Sequence, residues 1–240
     1  MYTLFLVIIL VECKPKVNDS SAQEIINKSI VASGTDKIAN SKINFTFRGI
    51  NYFADRNNGK FKLVRIKDSI KDILKNEGFT RLINDKEVFT PDSLASKYSN
   101  SVNSVHYFSV LPFGLNDKAV KKKLLKSASV NGEEYYKVEI TFNQDGGGED
   151  FEDVFIYWIG KNDFLVDYLA YSYHTNGGGM RFRALKEDYS TNDIRFVNYY
   201  NYKPQNENIE LIDIDKAFEN NQLKKVSEII LENIEVSLKN

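Results

Sequence analysis

Arg181 and Arg183 stand two residues apart in a run of strand-forming residues, so both guanidinium groups leave one face of a strand and could clamp a phosphate or a carboxylate. The plainer reading pairs them with Asp167 or Glu187 at the rim of a sheet. It is favoured, because an unfilled anion site beside strong apolar surface is uncommon. His106 and His174 are the two histidines, and neither lies in a His-Glu-x-x-His pattern or at a close cysteine–histidine spacing that zinc requires. His106 falls on a helix and is expected to pack against the sheet; His174 is expected at a strand end. Trp158, Tyr171 and Tyr173 offer aromatic surface that suits a ligand pocket or plain core packing equally well. With Arg181, Arg183 and His106 they form the candidate ligand-binding set.

Other chemistry is weaker. Asp145 to Asp153 reads DGGGEDFED, but the acids do not fall at the spacing of a helix-flanked calcium loop, and an acidic hairpin turn explains them better. Gly146 to Gly148 lacks the Gly-Lys-Ser/Thr ending of a phosphate loop, and Gly177 to Gly179 precedes a strand rather than a helix. There is no Gly-x-Ser-x-Gly elbow. No catalytic residue, metal or cofactor is therefore expected, and the balance leans away from an enzyme. With 32 Lys and Arg against 33 Asp and Glu, and Lys121 to Lys123 the one basic run, nucleic acid is not an expected partner.

The single cysteine, Cys13, closes the apolar run LFLVIILVEC. Eight apolar residues are too few to span a bilayer as a helix but suit a signal-peptide core. Leu10 and Val11 match the first two positions of a bacterial lipobox, whose cysteine receives diacylglycerol; Glu12 does not match the third, and no basic residue precedes the run. The alternative makes Cys13 a small hydrophobe in a buried strand. Residues 1–13 are read as a signal-like segment with Cys13 as the lipid-attachment residue, 14–21 as a tether and 22–240 as one domain, expected to be a monomer.

The elements that must hold the candidate residues follow from periodicity. Ser21-Ala22-Gln23-Glu24 is a capping box, and Ile25, Ile26 and Ile30 continue at helical spacing, which predicts a helix over 22–33 with Gly34 at its end. Ile43, Phe45 and Phe47 alternate with polar residues, which predicts a strand over 42–54 joined to a second strand, 60–67, by Asn57-Asn58-Gly59. Further strands are expected near 70–75, 79–83 and 86–89. Thr90-Pro91-Asp92 then opens a helix, with Thr90 as its cap, whose face of Leu94, Tyr98, Val102 and Val105 covers the sheet. Asn131-Gly132 marks a hairpin within 124–142, and strands at 151–159, 164–173, 180–186 and 195–202 form an antiparallel meander. Residues 215–220 read as a short helix; 223–236 fit strand or helix.

One strand pair carries the fold argument. Val154, Ile156 and Trp158 share one face and Phe155, Tyr157 and Ile159 the other, so neither face is polar. Such a sheet is covered on both sides or curves around a core. Helices are too few for two full layers. The expected fold is mainly β: a strongly curved antiparallel sheet or unclosed barrel with a few covering helices.

The stretches INFTFRGINYF, SVNSVHYFSVLPFGLNDKAV, YYKVEITF, DVFIYWIGKNDFLVDYLAYSY, GGGMRFRALKE and IRFVNYYNYKP resemble a flavobacterial (Bacteroidota) family of envelope lipoproteins whose function is not established. Its architecture is similar to the LolA/LolB type of lipoprotein carrier, an unclosed barrel with a helical lid around an apolar cavity. The resemblance implies a non-enzymatic protein of the bacterial envelope, outer-membrane anchored and facing the periplasm or the surface. Its implied partner is a lipid-like molecule or a lipoprotein acyl chain. A hydrolase or lyase acting on a small envelope metabolite, built around Arg181, Arg183 and His106, is the alternative; a scaffold lipoprotein is the second.

Overall fold

The computed structural model describes residues 21–145, 151–174 and 177–239. Helix α1 (Ala22–Ala32) begins where the capping box places it: Ser21 Oγ accepts from the Glu24 amide at 3.2 Å, and Glu24 Oε2 accepts from the Ser21 amide at 2.9 Å. Gly34 ends it with φ of +67°, and a Cβ there would lie 1.7 Å from the Asp193 carbonyl oxygen. Only glycine fits this approach. The helix end is thereby docked on a distant turn.

A first meander follows: β1 (Ser41–Phe47), β2 (Ile50–Asn57), β3 (Lys60–Lys67), β4 (Ile70–Lys75), β5 (Gly78–Ile83) and β6 (Lys86–Val88). The single strand expected over 42–54 is in fact a hairpin, because Arg48 (φ +52°) and Gly49 (φ +69°) turn the chain between β1 and β2. Helix α2 (Asp92–Ser109) starts one residue later than expected, with Pro91 rather than Thr90 at the cap; the Thr90 hydroxyl bonds the Val88 carbonyl instead.

The second meander comprises β7 (Val120–Leu124), β8 (Ala128–Val130), β9 (Glu133–Phe142), β10 (Val154–Gly160), β11 (Val166–Tyr173), β12 (Gly179–Thr191) and β13 (Ile194–Pro204). After α3 (Ile214–Glu219) come β14 (Leu223–Ile229) and β15 (Glu232–Leu238), so the ambiguous segment is two strands.

The fold is mostly β, antiparallel and unclosed, as expected, with its hydrogen bonds divided between two sheets. One runs β15-β1-β2-β3-β4-β5-β6, the other β14-β13-β12-β11-β10-β9-β7, with β8 beside β9. Strands β14 and β15, adjacent in the chain, pair with different sheets and tie the two together.

The second sheet is apolar on both faces and is covered on both. Inside, Ile25 and Ile26 of α1 and Leu111 and Leu115 pack on Val138, Ile140, Tyr157 and Leu169. Outside, Ile214 and Ala217 of α3 pack on Ile156, Trp158, Tyr168 and Phe182. Burying each large side chain contributes about 1.5–3 kcal/mol. The outer layer is also pinned by charge: Asp215 of α3 accepts from the Trp158 indole at 3.0 Å and pairs with Lys137 at 3.0 Å.

Candidate functional site

Helix α2 lies against both sheets. Toward the first, the Arg65 guanidinium donates to Ser101 Oγ at 2.6 Å and Arg81 stacks 3.5 Å from the Tyr98 ring. Toward the second, the Phe108 ring meets Tyr171 at 5.6 Å and Phe155 at 6.0 Å. Two clefts of about 310 Å³ each flank the helix. Ser104, Val105, Phe108 and Ser109 line one, Asn103, His106, Tyr107 and Val110 the other. That division is what a turn of 3.6 residues imposes.

The first cleft is walled by Phe108, Tyr171, Val197, Ile229 and Leu231, with Arg183 set into its wall and Arg48 among its lining. Register places Arg183 opposite Leu169 and Arg181 opposite Tyr171, on the inner face. Arg183 is only 8 % exposed; its guanidinium lies 4.1 Å from the Phe108 centroid and 5.3 Å from that of Tyr171, and it donates to the Tyr171 hydroxyl at 3.3 Å. Its Nε is buried without a partner. The aromatic faces stabilise the cation in part, but no carboxylate pairs with it among the described residues. Tyr199, also lining this cleft, has its hydroxyl pushed up to about 12 by burial.

The candidate residues therefore part company. Tyr171 and Arg183 share the first cleft. Arg181 and Tyr173 form a neighbouring pair, 5.2 Å from guanidinium to ring, with Arg181 donating to the Met180 carbonyl. Trp158 lies on the opposite face of the second sheet under α3, so it does not join them. Its register partner Tyr168, not Tyr171, shares its side. His106 lines the second cleft, so the constellation of Arg181, Arg183 and His106 that the enzymatic alternative needs is not assembled. Cys13 and most of the acidic loop, residues 146–150, lie outside the described residues.

The expected pairing of Arg181 and Arg183 with Asp167 or Glu187 is also corrected. Asp167 is taken by Arg195, at 2.9 Å, and by the Tyr135 hydroxyl at 3.1 Å. Glu187 accepts from the Asn198 amide at 3.1 Å and lies 3.7 Å from Lys186. Arg195 reaches Asp188 as well, so β13 supplies the cation that sequence proximity had assigned to β12.

In the second cleft the sequence reading missed Arg56. Alternation was the available signal: Tyr52, Ala54 and Arg56 are the buried positions of β2. Arg56 is 8 % exposed, and burial draws its guanidinium down to about 10. His106 is drawn down to about 3, by burial first and the Arg56 charge second, against its hydrogen bond with the Val64 carbonyl. Phe45 and Tyr52 meet its ring edge-on at 5.6 and 5.5 Å. No group of three or more potential metal ligands occurs among the described residues, and no described helix is long and apolar enough to cross a membrane.

The chain belongs to a family of unknown function (DUF6503), whose model matches residues 1–232. No curated protein matches the sequence. Among solved structures, a DUF1329 family protein from Desulfovibrio piger is similar over 91 % of this chain and 92 % of its own, with a TM-score of 0.50 at 11 % identity. A LolA superfamily protein from Nitrosomonas europaea is similar over 92 % of this chain and 94 % of its own, with a TM-score of 0.50 at 10 % identity. At such identities the likeness is one of fold: this is a LolA-like architecture.

Proposed function

We propose that this protein is a non-enzymatic, envelope-located binder of a hydrophobic ligand, a lipid or a lipoprotein acyl chain, held in the first cleft. The observation that carries the reading is the cleft itself. Phe108, Tyr171, Val197, Ile229 and Leu231 surround a space of about 310 Å³ beside a buried cation, in a fold shared with a LolA superfamily protein. A pocket near 300 Å³ is at the small end for organic ligands. It suits one acyl chain rather than several. Arg183, with Arg48 nearby, suits the polar end of that chain, since a desolvated guanidinium is stabilised by an oxygen acceptor.

Anchoring through Cys13 is part of the proposal and rests on the lipobox-like Leu10-Val11 and the polar segment that follows. A diacyl anchor buries methylenes at about 0.8 kcal/mol each, well beyond the hold of one chain. Cys13→Ser is expected to move the folded protein into the soluble envelope fraction. For the cleft, the purified protein is expected to carry lipid detectable by mass spectrometry and to bind a fluorescent fatty-acid probe that Phe108→Asp no longer takes up. A protein that carries no lipid and excludes the probe sinks the reading and leaves the scaffold alternative.

A further inference from the structure

Besides the Tyr107 hydroxyl, two buried polar atoms on side chains lining the second cleft meet no protein partner. Arg56 Nη1 is one. No carboxylate pairs with Arg56 among the described residues: its neighbour Asp55 pairs with Lys239 and Lys42, and the ring of Phe113, at 5.6 Å, is the aromatic face beside the cation. Taking a guanidinium out of water without a counter-charge costs several kcal/mol. His106 Nδ1 is the other. Its Nε2 lies 3.1 Å from the Val64 carbonyl oxygen, which can only accept, so Nε2 carries the hydrogen. The ring is neutral well below pH 7, and Nδ1 therefore presents a lone pair. One cleft thus offers a charged donor and a neutral acceptor.

We propose that the second cleft binds a monohydrogen phosphate group, one oxygen of which accepts from Arg56 Nη1 while its O–H donates to His106 Nδ1. A carboxylate or a sulfate satisfies only the first of these atoms, because neither carries a hydrogen at neutral pH. Asp117, which also lines the cleft and whose carboxyl is pushed up by burial, favours the form that retains its O–H over a fully ionised one. Lys60 lines the cleft too and adds a second cation. Phe61, Leu63 and Val110 supply apolar wall for an organic substituent on the phosphate. This inference does not depend on what the first cleft binds.

The test is calorimetric titration of the full chain at pH 7 and constant ionic strength with inorganic phosphate, with sulfate and with butyl phosphate. Saturable binding of phosphate, at least tenfold weaker binding of sulfate, and tighter binding of butyl phosphate than of the inorganic ion are expected. Tighter inorganic phosphate would identify the free ion as the source. No saturable binding of either phosphate overturns the proposal, and leaves a water bridging the two atoms. Equal binding of sulfate overturns the role of the O–H. Arg56→Lys is expected to weaken phosphate at least tenfold. Should that variant not fold, the nitrogen resonance of His106 Nδ1 in the unsubstituted protein decides: it shifts on adding phosphate and stays put on adding sulfate, or the proposal fails.

Discussion

Two regions of the first sheet treat buried arginine in opposite ways. On β3 to β5, Arg65 and Arg81 converge on Asp72, which is 1 % exposed, through hydrogen bonds of 2.6 to 3.1 Å. On β2, the strand next to β3, Arg56 is 8 % exposed and no acid pairs with it among the described residues; Arg183 on the second sheet repeats the pattern. The neutralised centre borders α2 through Ser101 and Tyr98 and serves to hold that helix. Arg65, Asp72 and Arg81 line a cleft too, of about 250 Å³, so what sets Arg56 and Arg183 apart in theirs is the missing carboxylate. Where the protein supplies the counter-charge, the charge is structural; where it leaves the charge unpaired, a ligand is expected to complete it.

The largest effect expected from this contrast is at Asp72. Asp72→Asn leaves two part-buried guanidiniums without their counter-charge and replaces one acceptor oxygen by an amide donor, and should cost about 3–5 kcal/mol by urea denaturation. A loss under about 1 kcal/mol would break the distinction between the two regions. Burial pushes the Asp72 carboxyl up, but the hydrogen bonds from Arg81 and then Arg65, with their charges, outweigh it and hold the carboxyl below its usual range. Its contribution is therefore present above the unfolded value near 4 and lost as pH falls through the lowered one.

The cleft side should fail at a higher pH, and this separates the two regions in one experiment. His106 is depressed from its ordinary value near 6.5 to about 3, so the unfolded chain binds the extra proton throughout that interval. Stability is complete above about 6.5 and falls as pH drops toward 3, by up to about 1.4 kcal/mol per pH unit. Denaturation measured at pH 7, 6 and 5 in phosphate-free buffer should show this slope, and His106→Gln, which cannot titrate, should flatten it. An unchanged slope in the variant would place the acid sensitivity elsewhere.

Much of this arrangement was legible in the residues, and the gaps have physical reasons. The alternation of Ile43, Phe45 and Phe47 and the two apolar faces of β10 specify strands and a doubly covered sheet without knowledge of partners. The turn at Arg48-Gly49 was hidden because arginine does not favour the positive φ that the hairpin imposes on it. Residues 223–236 could not be assigned because their pattern fits both periods; pairing of β14 with β13 and of β15 with β1, contacts distant in sequence, decides it. Trp158 was grouped with Tyr171 on aromatic character alone, although the period of two already puts Trp158 and Tyr157 on opposite faces. Which acid neutralises which arginine depends on the order of strands across the sheet. Hence Arg195 rather than Arg183 claims Asp167.

The smallest stability change, and the sharpest use of the contrast, is expected at Arg183. In Arg183→Met an unbranched apolar stem is kept against Phe108 and Tyr171, the desolvation cost of an unneutralised cation disappears, and the lost cation–π contacts and hydrogen bond offset that gain. The net change in unfolding free energy should lie within about 1 kcal/mol. Binding should behave differently: if Arg183 awaits the polar end of an acyl ligand, affinity for a fatty-acid probe falls about tenfold, which corresponds to about 1.4 kcal/mol. A long-chain alcohol has no charge to lose and should be less affected. Equal losses for acid and alcohol would make Arg183 a packing residue of the cleft wall. A large loss of stability with binding intact would place it beside Arg65 and Arg81, among the arginines that hold the fold.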